Sequence, residues 1–155
     1  ISTEKRITEL AVKNSSTKLA LRYCTAIASA GQGMTRGQST LLLIDTFVNQ
    51  SIIVVQAKNG FEFYNFCNLS SRYDEMRGLS DSHSIRGSLT TKMIFTMPIL
   101  IPNENVLFTF NNVVIRIFES IENKYYENNR LTSIRDTLLP KLMSEEIRVP
   151  IDNEQ

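Results

Sequence analysis

The stretch NENVLFTFNNVVIRIFESIENKYYENNRLTSIRDTLL, residues 103–139, decides the architecture, because its 37 residues contain neither glycine nor proline. Asn103 is suited to cap a helix, and Glu104 to sit at the positive end of its dipole. Leu107, Phe110, Val114, Ile117 and Ile121 then recur at steps of three and four, the a/d seam of a helix that pairs with another. Lys124 and Asn128 interrupt the seam, which resumes at Leu131, Ile134 and Leu138. A helix of this length extends ~55 Å at 1.5 Å per residue, farther than one small domain can cover. The stripe therefore calls for a partner helix, and its polar interruption fits a long two-helix contact, since asparagine in a seam fixes register. The competing reading is a helix packed on its own domain. Pro140 is expected to kink or end the helix, and Glu146–Val149 reads as extended.

Working outward, Pro98 and Pro102 bracket Ile99-Leu-Ile101 as an extended link, because a residue before proline avoids the helical region. The expected division is a mixed domain over 1–102 and a long helix with its tail over 103–155. Upstream, Ile7, Leu10 and Ala11 suggest a short helix over Thr3–Leu10, capped by Ser2 or Thr3. Strands are expected over Leu19–Ser29, Leu41–Ile44, Ser51–Gln56 and Met93–Met97. The aromatic run Phe61–Leu69 reads as a buried short helix, and Gly31, Gly33 and Gly37 mark a loop. The expected class is thus α+β, a mixed domain followed by one long helix of coiled-coil type.

Composition narrows the function. At 155 residues with 42% hydrophobic and 21% charged content, the chain is long enough for a real core and is no disordered charged tail. Residues 1–102 hold 11 Lys+Arg against 7 Asp+Glu (+4), and 103–155 hold 6 against 9 (−3). A mildly basic first part fits a polyanionic partner. Cys24 and Cys67 lack CxxC spacing and nearby histidines, so they read as idle thiols of a reducing compartment. No apolar run has the ~18 residues a membrane span needs, and the charged opening to Arg6 is no signal peptide. A cytoplasmic location with no membrane partner is expected.

The run Leu131-Thr-Ser-Ile-Arg-Asp-Thr-Leu-Leu-Pro-Lys-Leu-Met-Ser-Glu-Glu-Ile-Arg-Val149 closely resembles the end of type I restriction–modification specificity subunits, typically IRDxLLPKLLSGEIRV. It departs at Glu145, where that family usually has glycine. Ile7-Thr-Glu-Leu-Ala-Val-Lys-Asn-Ser-Ser-Thr-Lys-Leu19 looks like the family's ITELALKxSSAKLL segment, and Phe47-Val-Asn-Gln-Ser51 resembles its ATNQ stretch. Ser84-Ile-Arg-Gly-Ser-Leu-Thr90 and Pro98–Pro102 stand where the family links recognition domain to helix. Ser29-Ala-Gly-Gln-Gly-Met-Thr-Arg36 departs from the family's SRGTIG. The resemblance implies a target-recognition domain, here incomplete at its N-terminus, that binds one half of a bipartite double-stranded DNA site. It further implies that the chain is no enzyme and needs no cofactor. Methyltransferase and restriction subunits would be its partners and carry the chemistry, and the helix would space two half-sites. The chain would be either a fragment of a two-domain subunit or a half-subunit that forms a homodimer through the helix.

Three polar clusters offer donors, acceptors and cations for bases and phosphates. They are Lys13, Asn14, Ser15, Ser16 and Lys18; then Gln32, Thr35, Arg36 and Gln38; then Arg72, Arg77, His83, Ser84, Arg86 and Lys92. Each residue alone is also what a solvated surface looks like. Arg36 and Arg86 stand out because neighbouring Gly37 and Gly87 let a backbone approach closely. His83, the single histidine, has no companion set for metal binding or acid–base catalysis. Gly31-Gln-Gly33 is no phosphate loop. The rival readings are an orphan coiled-coil interaction protein that reads no DNA, and a small enzyme built on His83. Which bases would be read is not written in such loops.

Overall fold

In the computed structural model, which describes residues 3, 5–31, 33–82 and 87–148, the first element is a short helix, α1 (Glu9–Lys13). The Thr8 hydroxyl accepts from the Ala11 N–H at 3.2 Å and starts it, so the cap lies later than Thr3; Ser2 lies outside the described residues. Five short strands follow: β1 (Lys18–Ala20), β2 (Thr25–Ala28), β3 (Ser39–Leu41), β4 (Thr46–Val48) and β5 (Ile52–Val55). They form two antiparallel sheets, β1-β4 and β3-β2-β5. The strand expected over Leu19–Ser29 is therefore two strands in different sheets. The break is at Tyr23, whose φ of 66° turns the chain while its N–H donates to Leu42 O at 2.6 Å. The Tyr23 ring packs on Phe63 at 5.2 Å, which holds that uncommon backbone in place.

Two further helices, α2 (Glu62–Ser70) and α3 (Tyr73–Ser82), lead to α4 (Thr91–Thr96). The aromatic run forms α2 as expected, whereas α3 was not foreseen. Met93–Met97 is helical rather than extended: Thr90 caps α4 by accepting from the Met93 N–H at 3.3 Å. Its spacing explains why, since Ile94 and Met97, three apart, both point into the core. That core joins Ile27 and Ile53 of the three-stranded sheet to Leu69, Met76, Leu89, Ile94 and Met97. After α4, Arg72 donates to Pro98 O at 2.7 Å and Tyr64 to Leu100 O at 2.6 Å. These bonds hold the proline-bracketed link by its carbonyls and leave the Ile99, Leu100 and Ile101 side chains exposed.

The last element is α5 (Glu104–Met143), 40 residues or about eleven turns. Asn103 caps it, accepting from the Val106 N–H at 2.9 Å. The architecture is α+β with one long C-terminal helix. Pro140 does not end it. Lying in the last turn, it forfeits one N–H bond, and the chain completes that turn through a Ser144 N–H to Pro140 O bond at 2.9 Å. Of the segment Glu146–Val149 expected to be extended, Val149 lies outside the described residues, and before it a turn at Ser144–Glu145 brings the Ile147 N–H to Lys141 O at 3.1 Å. Glu145 has a φ of 59°, the left-handed conformation for which glycine is favoured. The family resemblance puts glycine at this same position.

The chain divides into two compact units, Ile1–Arg116 and Ile117–Gln155. The first includes the opening turns of α5. There Leu107 is buried, the Phe110 ring meets Tyr64 edge-on at 5.9 Å, and Asn111 donates to Gly60 O at 2.8 Å. Seam positions Leu107 and Phe110 are thus engaged by their own domain, and Val114 is half-buried. In the second unit, Ile117, Ile121, Leu131, Ile134 and Leu138 are between 42% and 55% exposed.

Candidate nucleic-acid interface

Lys13, Asn14, Ser15, Ser16 and Lys18 run from the end of α1 into β1, and all five are exposed. The Asn14 N–H closes α1 on Leu10 O at 3.1 Å, and Ser15 and Thr17 share a hydroxyl hydrogen bond at 2.8 Å. The segment is therefore ordered locally while its polar ends face outward. Antiparallel pairing sets Lys18 opposite Val48 and so beside the turn Asn49-Gln50-Ser51. A cleft of about 530 Å³ results, with Ser16, Lys18, Asn49, Gln50 and Thr91 on its rim and Leu19, Ile52 and Ile53 among its apolar lining. Lys92, the exposed neighbour of Thr91, belongs to the same short helix. The first cluster and the start of α4, far apart in sequence, thus meet at one cleft through Ser16, Lys18 and Thr91. The Asn49 carboxamide is turned back to accept from the Ser51 N–H at 3.0 Å, and Gln50 is exposed.

The second cluster is divided by burial. Thr35 and Gln38 are exposed; Arg36 is not. Expected to offer its guanidinium to DNA, Arg36 is 5% exposed, donates to Gly87 O and pairs with Asp81. Its charge is used inside the fold, tying the loop before β3 to the end of α3 and to the segment entering α4. Gly87 allows this approach: with a φ of 53° it has no Cβ, and one built there would fall on the guanidinium. A glycine neighbour does bring backbone and Arg36 together, but the backbone is the protein's own.

Arg77 likewise braces the loop, donating to Gly33 O at 2.7 Å while half-buried. Arg72 is held by Glu75 at 2.6 Å and by Pro98 O. The hydrogen bond between them pushes the Arg72 pKa up and the Glu75 carboxyl below its usual range. Gln32, His83, Ser84 and Arg86 lie outside the described residues. Of the third cluster as described, Lys92 alone presents an exposed cation.

Two residues outside the three clusters join the surface. Lys5 and Arg6, with Thr17, Asp45, Phe47 and Asn49, line an open cleft of about 620 Å³. Sequence reasoning did not single them out, and nothing in the sequence shows that β4 lies alongside. Among the described residues no group of three or more His, Cys, Asp and Glu is placed to hold a metal ion. Neither cysteine forms a disulfide, and burial pushes the Cys67 thiol pKa up, so it stays protonated at neutral pH. No helix among the described residues is long and apolar enough to cross a membrane.

The surface is thus a set of open, polar-rimmed clefts on a small α+β domain, flanked by lysines. No protein-family model matches the chain. It is similar to the HindI type I restriction enzyme specificity subunit of Haemophilus influenzae, 33% identical over 72 residues. The matched segment is 46% of this chain and 16% of that protein, so the similarity spans about a sixth of the relative's length.

Proposed function

We propose that this chain is a DNA sequence-recognition unit of a type I restriction–modification system, a specificity subunit or half of one. The observation that carries the reading is the 33% identity to a named specificity subunit. The C-terminal run from Ile134 to Val149 that resembles the same family supports it. In this reading residues 1–102 bind one half of a bipartite site, with Lys13, Lys18 and Lys92 on phosphates. Asn14, Ser15, Ser16 and Gln38 face base edges or sugar–phosphate oxygens. His83, Ser84, Arg86 and Arg77 remain candidates on sequence alone, and Arg36 acts as a brace. Methyltransferase and restriction subunits carry the chemistry, and this chain is not an enzyme.

The exposed seam of α5 is the part that pairs with a second helix, in a homodimer or in a longer chain. As a rod, the helix fixes the separation of two half-sites, each added turn contributing about 5.4 Å.

Selection from a randomised duplex pool tests the reading. A recurring sequence is expected, with log K falling against log salt by roughly 0.9 per phosphate neutralised. Lys13→Ala, Lys18→Ala and Lys92→Ala should each reduce that slope by about 1 without changing the selected sequence. Recovery of no sequence above background refutes DNA reading and leaves an interaction protein. Light scattering at low and high salt separates the two ways of covering the helix: a stable dimer means self-pairing, and a monomer means the partner helix lies elsewhere.

A further inference from the structure

The loop between β2 and β3 carries a largely exposed apolar side chain, Met34. Met34 is 77% exposed, while its own carbonyl and that of Gly33 are hydrogen-bonded to α3. Tyr73 donates to Met34 O at 2.7 Å, and Arg77 donates to Gly33 O at 2.7 Å. Gly37, at a φ of 86°, rests on Met76 and Tyr73, and its N–H donates to Ala28 O at 2.9 Å. Arg36 is anchored in the interior by Gly87 and Asp81. Every one of these ties ends on the loop's backbone or on its inward side chain. A Cβ at Gly33 would meet nothing within 4 Å, so the space beside Met34 is open.

Held this way at Gly33, Met34 and Gly37, the methionine loses less backbone freedom on binding than an untethered residue would, which favours contact with a rigid partner. Met34 itself lines a shallow cleft of about 280 Å³, together with Gln38, Ser39, Thr40, Ser70 and Tyr73. The others are hydroxyls and a carboxamide with no carboxylate among them, a surface that tolerates a polyanion and pairs with base edges and phosphate oxygens. An apolar pocket on a protein would be met by more apolar surface around the tip, and this tip has a polar surround.

We propose that Met34 is a wedge that enters a DNA duplex between neighbouring base pairs and unstacks them, an inference that rests on the DNA-reading proposal above. Apolar side chains inserted at a base step kink the duplex. Pyrimidine–purine steps yield most readily, so the wedge would select a TA or CA step with no hydrogen bond to either base. Flexible thioethers fit such an irregular gap better than branched chains.

The test begins with the sequence recovered from the randomised duplex pool, and substitutes 2-aminopurine for adenine at each position in turn. One step should brighten several-fold on binding. Met34→Ala should abolish that signal and weaken binding about tenfold, while Met34→Leu keeps the signal; neither change should move the melting temperature, since the side chain makes no core contact. A bound complex with no brightened position overturns the wedge, as does a signal that survives Met34→Ala. Loss of association with a methyltransferase subunit in Met34→Ala, with DNA binding unchanged, also overturns it and assigns the tip to protein. Recovery of no duplex overturns DNA reading itself and the wedge with it, an outcome distinct from binding without unstacking.

Discussion

Gly87 and Arg36 should be energetically inseparable. Gly87→Ala does two things. It places a side chain at a φ of 53°, which costs about 1–2 kcal/mol in the left-handed region. It also puts a Cβ on the Arg36 guanidinium. That group ends a flexible chain and can move, but moving it breaks a buried charge-assisted bond to Gly87 O, contributing about 1.5–3 kcal/mol. The Asp81 carboxylate is 57% exposed, so its ion pair adds well under about 1 kcal/mol. Together Gly87→Ala should destabilise the first unit by about 2.5–5 kcal/mol. In an Arg36→Ala background the clash is gone, and the same change should cost only about 1–2 kcal/mol. The coupling is then roughly 2 kcal/mol, far outside the ~0.5 kcal/mol scatter of independent sites. Urea denaturation of the four proteins measures it, followed by tyrosine near-ultraviolet circular dichroism with the far-ultraviolet signal as a check on two-state behaviour. Were Gly87→Ala to unfold the chain outright, the double variant should regain a folded transition. Equal costs of Gly87→Ala in both backgrounds would show that Arg36 does not hold the position described.

Glu145→Gly should steady the end of α5, because glycine removes about 1 kcal/mol of left-handed strain. Amide exchange over Leu142–Ile147 should slow, and unchanged or faster exchange would contradict the turn geometry. Glu75 carries an acid-sensitive contribution. Its carboxyl is held below the ordinary range near 4.3 by the Arg72 hydrogen bond, so the stabilisation is complete above that range and is lost as pH falls through the lowered folded value. With the Glu75 side chain 44% exposed, the effect stays under about 1 kcal/mol. Glu75→Gln should lower stability slightly at neutral pH and flatten its decline in acid; an unaltered acid slope in a urea–pH series would rule the pair out as a contributor.

The long helix was legible because its signals are local. An uninterrupted glycine- and proline-free run, the Asn103 cap and a periodic stripe all lie within the segment they describe. The same holds for α2, whose aromatic positions announce burial. What failed depended on partners elsewhere in the chain. The Leu19–Ser29 alternation looks continuous until Leu42 and Phe63 supply a bond and a ring that let Tyr23 turn. Met93–Met97 carries apolar residues that suit either period, and only the core beneath shows that Ile94 and Met97 share one face. Proline at 140 reads as a stop by propensity, and the helix runs only three residues beyond it, to Met143.

Arg36 shows most clearly why a candidate surface is harder to read than a fold. A basic residue between glycines in a polar loop has the composition of a phosphate contact, and its burial depends on Asp81 and Gly87, some fifty residues away. The same arrangement governs the residues around it. With Arg36 turned inward and Tyr73 and Arg77 of α3 bonded to the loop's carbonyls, Met34, Thr35 and Gln38 are side chains among the loop's described residues that face solvent. On the proposed DNA-reading function, a loop built this way would meet a duplex through shape and neutral polar groups more than through charge. On the same proposal the phosphate contacts would fall to Lys13, Lys18 and Lys92, which are exposed. Division of labour of this kind makes salt dependence and sequence preference separable: lysine substitutions should move the first, and changes at the braced loop the second.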